Sequence, residues 1–217
     1  MRVGIFALLS LCLALPAQAQ AHDPYADFSG VYLGVQTDYG SGGSGGDWCN
    51  CSPVPFVADA GGGRGGIVAG GHAGYDLRWG ALVLEAETKL SYADVSFAET
   101  CGAFSCAGEA QWLAEAHLGA GLVFGRTMIA AQAGLAAGDV EARSNAFSPS
   151  TAPATSIHDG TVYGARLEYA MIDGWRMALE YRHYDMKGEN DIAGGTPVDI
   201  EWTSDVGGLR MTLELGE

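Results

Sequence analysis

The sequence predicts an all-β fold, an eight-stranded antiparallel up-and-down transmembrane β-barrel. Three observations carry that expectation. Apolar and polar residues alternate with a period of two through several long runs, which describes strands with two unlike faces. Short turns and long Gly- and Ser-rich connections alternate along the chain, as in a meander whose long loops share one end. Beyond the N-terminus no segment reaches the about 20 continuous apolar residues that a membrane helix needs, so such a chain crosses lipid only as a closed barrel.

The N-terminus is read apart from the fold. MRVGIFALLSLCLALPAQAQA opens with the basic Arg2, runs through an apolar core from Val3 to Leu15 and closes on the small residues Ala17, Ala19 and Ala21. That order describes a secretory signal peptide over residues 1–21 and leaves 22–217 as the barrel domain. Leu11 is not the small residue that precedes a lipoprotein cysteine, so Cys12 goes with the signal. The 26 Asp and Glu against 11 Lys and Arg give a net charge of -15, with no basic surplus to neutralise phosphates, and this excludes nucleic acid as a partner. The 33 glycines follow no Gly-X-Y period and so serve turns, loops or close packing.

Residues 27–40, DFSGVYLGVQTDYG, form the first expected strand, with Val31, Leu33, Val35 and Tyr39 on one face and Tyr32, Gly34, Gln36 and Asp38 on the other. A long loop is expected at about 41–65, holding Cys49 and Cys51. Residues 66–92, GIVAGGHAGYDLRWGALVLEAETKLSY, give strands two and three around a turn at Trp79-Gly80. Ile67, Tyr75, Leu77, Leu82, Leu84, Leu90 and Tyr92 share the apolar face, while His72, Asp76, Arg78, Glu85, Glu87 and Lys89 share the polar one.

A second loop is expected at about 93–108, with Cys101 and Cys106. Strand four, 109–124, sets Trp112, Leu118, Leu122 and Phe124 against Gln111, Glu115 and His117. Gly125-Arg126 turns into strand five, 127–142, where Ile129 and Leu135 oppose Gln132 and Gly134. After a third loop at about 143–157, strand six sets Tyr163, Leu167 and Tyr169 against Arg166 and Glu168. Asp173-Gly174 is a strong hairpin turn into strand seven, where Trp175, Met177, Leu179 and Tyr181 oppose Arg176, Glu180 and Arg182. A fourth loop at about 187–198 precedes the last strand, with Leu209, Met211, Leu213 and Leu215 opposite Arg210, Thr212 and Glu214.

Alternation alone leaves the inner face open, because a soluble lipocalin-type barrel has the same period with its apolar side inward. Three features turn the apolar face outward, to lipid. Glycines gather on the polar face, at Gly34, Gly70, Gly74, Gly119, Gly121, Gly134 and Gly164, where a narrow lumen needs small residues. Aromatics stand near strand ends on the apolar face, at Tyr39, Tyr92, Trp112, Phe124, Tyr169 and Trp175, as interfacial girdles. The strands are also longer than the about 9 to 11 residues that cross hydrocarbon. The lumen then holds Glu85, Glu87, Lys89, Glu115, Arg166, Glu168, Glu180, Arg182, Arg210 and Glu214, and confined charges must pair. A plugged interior follows.

The runs FSGVYLGVQ, GGHAGYDLRWGALVLEAE, WLAEAHLGAGLVFGRTMIAAQAGLAAGDV and YGARLEYAMIDGWRMALEYRHYDM cover most of the mature chain. In them the sequence resembles the small outer-membrane surface-protein barrels of alphaproteobacteria, grouped with porin-family and opacity-like proteins. The resemblance implies location in a Gram-negative outer membrane, with outer-membrane lipid and the barrel-assembly machinery as partners. The chain departs from that pattern at Leu215-Gly216-Glu217, where such barrels usually end in an aromatic residue used in assembly.

Lipid A deacylases carry a His-x-Ser motif, and none of His22, His72, His117, His158 and His183 has Ser two residues on. The Gly-rich runs at 42–46 and 61–66 lack the Lys-Ser or Lys-Thr of a phosphate loop. Cys49, Cys51, Cys101 and Cys106 form an even set in an exported chain and point to loop disulfides, either between the two loops or locally from Cys101 to Cys106. A four-thiolate metal site is disfavoured in an oxidising compartment. The expected role is structural or surface-interacting, with no cofactor and no catalysis. A narrow solute channel and a lipid-modifying enzyme are the alternatives.

Overall fold

Glycines at positive φ set the short connections. Gly80 and Gly125, at φ 62° and 63°, start two-residue turns that a side chain at Cβ would strain. The first of these turns is Gly80-Ala81, because Trp79 is still a strand residue opposite Leu82. The third connection spans residues 171–174, closed by Met171 N–H to Trp175 O at 2.8 Å, with Gly174 at φ 75°. The computed structural model describes residues 27–45, 65–101, 104–144, 154–172, 174–193 and 196–215. Asp173, the expected signal peptide at 1–21 and the last two residues lie outside them.

Eight strands follow in order: β1 (Gly30–Gly45), β2 (Gly65–Trp79), β3 (Leu82–Cys101), β4 (Phe104–Phe124), β5 (Thr127–Ser144), β6 (Ala154–Ala170), β7 (Trp175–Ala193) and β8 (Thr196–Glu214). Each pairs antiparallel with its neighbours in sequence, and β8 returns to β1 through rungs such as Thr37↔Leu209, so the barrel is closed. The two faces fall as expected: Val35, Leu118, Leu135 and Leu179 point outward, while Glu87, Glu115, Arg166 and Arg210 are buried inside. Leu84 also points outward, but it lies two residues into β3 and close to the turn end, so Leu118 is the mid-span residue.

The strands outrun the expected loops. The segment expected as a loop at 93–108 carries the β3–β4 ladder on, past a register shift between Tyr92 and Val95, to the rung Cys101↔Phe104. β7 and β8 fill most of the loop expected at 187–198, meeting at Ala193↔Thr196. β1 and β2 cut into the expected 41–65 loop, and β5 and β6 into the expected 143–157 loop.

The physical reason is a change of phase. Through the middle of the barrel, outward residues are apolar and inward ones polar, while at the turn end both faces are apolar. Past Tyr39, Tyr92, Leu135, Tyr163, Tyr181 and Leu209 the assignment reverses. Outward positions become Asp94, Glu109, Asp139, Asp159, Asp185 and Asp205, while Val95, Leu113, Val140, Tyr184, Met186, Trp202 and Val206 turn inward and pack together. The period of two continues, but the solvent outside has changed from lipid to water. β4 adjusts to the change with a bulge between Ala110 and Trp112.

The girdles are correspondingly broader than expected. Trp79, Phe124, Tyr169 and Trp175 stand exposed at the turn end, and Tyr39, Tyr92, Tyr163 and Tyr181 at the other. Trp112 is only half-buried beside the β4 bulge.

Candidate functional site

The lumen is the chemically richest part of the molecule, and it is built in three layers. At the turn end Phe28, Val83, Val123, Met128, Ala130 and Ala170 form an apolar cluster. At the loop end Val68, Ala93, Val95, Ala110, Leu113, Ala136, Val140, Val162, Tyr184, Met186, Trp202 and Val206 form another. Between them lies a belt of buried charge.

Among the described residues the buried carboxylates are Asp38, Asp76, Glu85, Glu87, Glu115, Glu168 and Glu180, and the buried bases are Lys89, Arg166, Arg176, Arg182 and Arg210. Each base serves more than one acid, which is how fewer cations satisfy more carboxylates. Arg166 forks onto Glu85 and places Nε 2.7 Å from Glu168. Arg176 reaches Asp76 at 2.8 Å, Glu168 at 3.1 Å and Glu214 at 3.4 Å. Arg182 donates to Asp38 at 2.5 Å and to Glu115 at 2.6 Å. Lys89 lies 2.5 Å from Glu180 and 3.3 Å from Glu87. Arg210 donates twice to Glu87, at 3.1 and 2.6 Å.

Tyrosine, glutamine and histidine side chains complete the belt. Tyr32 donates to Glu87 and Tyr184 to Glu115, each at 2.8 Å, and Gln132 donates to Glu180. His117 Nε2 lies 2.9 Å from Glu115, and His72 Nε2 lies 2.9 Å from Thr212 Oγ1. The Arg176 guanidinium covers the rings of Tyr32 and Phe28, 4.9 and 5.4 Å from their centroids. That contact joins the belt to the lower apolar layer.

Nine of the expected lumen charges, Glu85, Glu87, Lys89, Glu115, Arg166, Glu168, Glu180, Arg182 and Arg210, are buried in this belt. Glu214 is less enclosed, at 17% side-chain exposure, and attaches through Arg176 at the turn-end mouth. Asp38, Asp76 and Arg176 belong to the network as well, and their signal was their parity on strands already read. Tyr184 was hidden by the change of phase.

The lumen glycines make this density attainable. A Cβ at Gly34 would run into the His72 ring and the Met211 carbonyl, and one at Gly134 or Gly164 would meet the backbone carbonyl of Ala116 or Tyr181.

Other candidates fall elsewhere. His183 faces outward, 2.7 Å from Asp205, whose same oxygen accepts from Tyr181 at 2.5 Å. His158 faces inward near the loop end, 3.0 Å from Ser156 Oγ. Gly42 to Gly46 spells Gly-x-Ser-x-Gly, yet Ser44 sits in an antiparallel ladder opposite Trp202 and not at a strand-to-helix turn. Cys101 and Cys106 lie on strands, opposite Phe104 and Glu99, and not in a loop, while Cys49 and Cys51 fall outside the described residues. Among the described residues no group of three or more His, Cys, Asp or Glu side chains is arranged to hold a metal ion.

A closed antiparallel barrel with a lipid-type belt outside and packed charge inside defines a transmembrane barrel of the outer-membrane kind. The chain belongs to the outer membrane protein beta-barrel domain family, whose model matches residues 5–200. Outer-membrane location follows from that membership. No curated protein matches the chain.

Among solved structures it is similar to Ail of Yersinia pestis, at 10% identity over 83% of this chain and 99% of that one, with a TM-score of 0.41. Neisserial surface protein A matches at 14% identity over 84% and 96%, TM-score 0.43. OprG of Pseudomonas aeruginosa matches at 9% identity over 86% and 97%, TM-score 0.43. The fold rests on the strand pairing of this chain.

Proposed function

We propose that the protein is a closed outer-membrane anchor that carries a β-sheet crown above the lipid surface for contact with other molecules. It acts as neither a solute channel nor a lipid-modifying enzyme. The observation that supports this reading is the sealed belt: the buried ion pairs lie between two apolar layers, and eight strands leave room for side chains only. An ion entering the lumen would have to cross apolar packing and then displace charges already held by several partners. The short turns face the periplasm and the crown faces outward, as in barrels of this type. Outer-membrane lipid and the assembly machinery are its partners in the envelope.

Planar-bilayer recording of the refolded protein tests the reading. It predicts a flat baseline at both polarities. Reproducible ohmic current steps would overturn it in favour of a channel. A change in lipid A mass when the gene is removed would overturn it in favour of an enzyme.

A further inference from the structure

One outward glycine leaves a notch where the wall passes from lipid to water. Gly207 of β8 lies between Tyr181 of β7 and Tyr39 of β1 on a single row of rungs. Apart from its chain neighbours, the only heavy atom within 4 Å of where its Cβ would stand is the Glu180 carbonyl oxygen at 3.8 Å, so neither tyrosine ring fills the space. Tyr39 leans the other way, over Gly65 of β2, where a Cβ would meet the Tyr39 hydroxyl. Tyr181 leans toward the loop end and donates its hydroxyl to Asp205 at 2.5 Å. Two strand spacings, about 10 Å, separate the flanking strands. The result is a slot with aromatic walls and a backbone floor.

The two ends of the slot differ. Toward the turn end β8 continues to Leu209, which is half exposed and belongs to the lipid-facing wall. Toward the loop end stands Asp205, with His183 and Ser41 as its rung partners. Asp205 Oδ1 takes both the Tyr181 hydroxyl and His183 Nδ1, the latter at 2.7 Å, and the Tyr163 ring lies against His183 with centroids 5.0 Å apart. Among the described residues no Lys or Arg pairs with Asp205, and its side chain is 53% exposed. Its second oxygen and His183 Nε2 are left to face what lies outside the wall, and a carboxylate oxygen accepts only. Gly71 makes the contrast. Its Cβ position is also open, but its rung partners are Val35 and Leu90, so that notch offers an acyl chain nothing polar.

We propose that the Gly207 slot binds the headgroup of an outer-leaflet lipid that carries a primary ammonium, with the ammonium on Asp205 and the chains running down past Leu209. The ammonium brings three N–H donors to a carboxylate that no Lys or Arg neutralises, a charge-assisted contact. The tyrosines cover the methylene carbons beside it, and their ring faces attract the charge. A phosphate alone is repelled by Asp205, and a quaternary ammonium has no N–H to give. Because the slot opens onto lipid at Leu209, the amine comes from a lipid already in the membrane and not from solution. The inference goes beyond the contact role of the crown, and needs the wall to meet water at Asp205 but not the lumen to be closed.

The test uses the full chain refolded in phosphatidylcholine bicelles, to which phosphatidylethanolamine is added in steps while backbone amides are followed by NMR. Shifts at the Gly207 amide should saturate with the ethanolamine lipid, and cross-peaks should join its headgroup methylenes to the Tyr39 and Tyr181 rings. The Gly71 amide should show no saturation. Asp205→Asn should weaken binding by about tenfold. Gly207→Leu fills the notch without a clash at Cβ and should abolish binding, with gel mobility on heating used to confirm that both variants fold.

Gly207 shifts that only grow in proportion to the added lipid would overturn the proposal. So would equal saturation by phosphatidylglycerol, saturation by free ethanolamine without acyl chains, or unchanged binding in Asp205→Asn. A conducting barrel that still binds the ethanolamine lipid would remove the closed-lumen reading and leave this one standing.

Discussion

Glu87 and Arg210 are joined by two hydrogen bonds, 3.1 and 2.6 Å long, although they sit on β3 and β8, which are not neighbours in the sheet. The pair is a strut across the lumen. It converts a tube held by neighbouring ladders into a body braced through its centre, and Lys89, Tyr32 and Arg166 converge on the same carboxylate.

Removing one end of the strut leaves the other charge buried. Arg210→Ala should lower stability by about 3 to 5 kcal/mol. Replacing both ends, as Glu87→Leu with Arg210→Met, should cost less than the sum of the two single changes, because no charge is then stranded. Reversible urea unfolding in lipid vesicles measures both. Additive losses would contradict the strut.

Close packing at the lumen glycines makes an asymmetric prediction. Gly134→Ala drives a methyl against the Ala116 carbonyl and should cost about 1 to 3 kcal/mol. Gly71→Ala adds a methyl on the outward face, where the nearest heavy atom is 3.5 Å away, and should be close to neutral. The same unfolding assay compares them.

Position along the barrel axis sets the cost of an outward charge. Leu118 lies mid-span between Phe124 and Trp112, and Leu118→Arg should cost about 2 to 4 kcal/mol. Thr203 is exposed beyond Asp205, and Thr203→Arg should cost about 0 to 1 kcal/mol. Equal penalties would show that Thr203 also lies in hydrocarbon.

The part of the barrel within lipid was legible because its alternation keeps one phase. Leu33 to Tyr39, Leu84 to Tyr92 and Trp175 to Tyr181 each hold their large apolar residues on a single parity, so direction, turns and most lumen charges followed. The crown was not legible because the parity inverts. β7 is apolar at Met177, Leu179 and Tyr181, then at Tyr184 and Met186, and the break imitates the end of a strand. Cys101 and Cys106 fall in an expected loop for the same reason, since a strand that changes solvent looks locally like no strand. The multidentate sharing in the belt was beyond the sequence as well. Parity places Arg176 and Asp76 in the lumen, but only the closed barrel shows that β2 and β7 bring them to 2.8 Å.

The change of solvent along one continuous wall is the central claim, and Ile157 tests it most directly. In bicelles, NMR cross-peaks from the side chains of Leu118, Leu209 and Ile157 report contact with lipid acyl chains or with water. The account predicts acyl-chain contacts for Leu118 and Leu209, and water contacts without acyl-chain contacts for Ile157, despite its 69% exposure and apolar character. Acyl-chain contacts at Ile157 would place the crown inside the membrane and contradict the account.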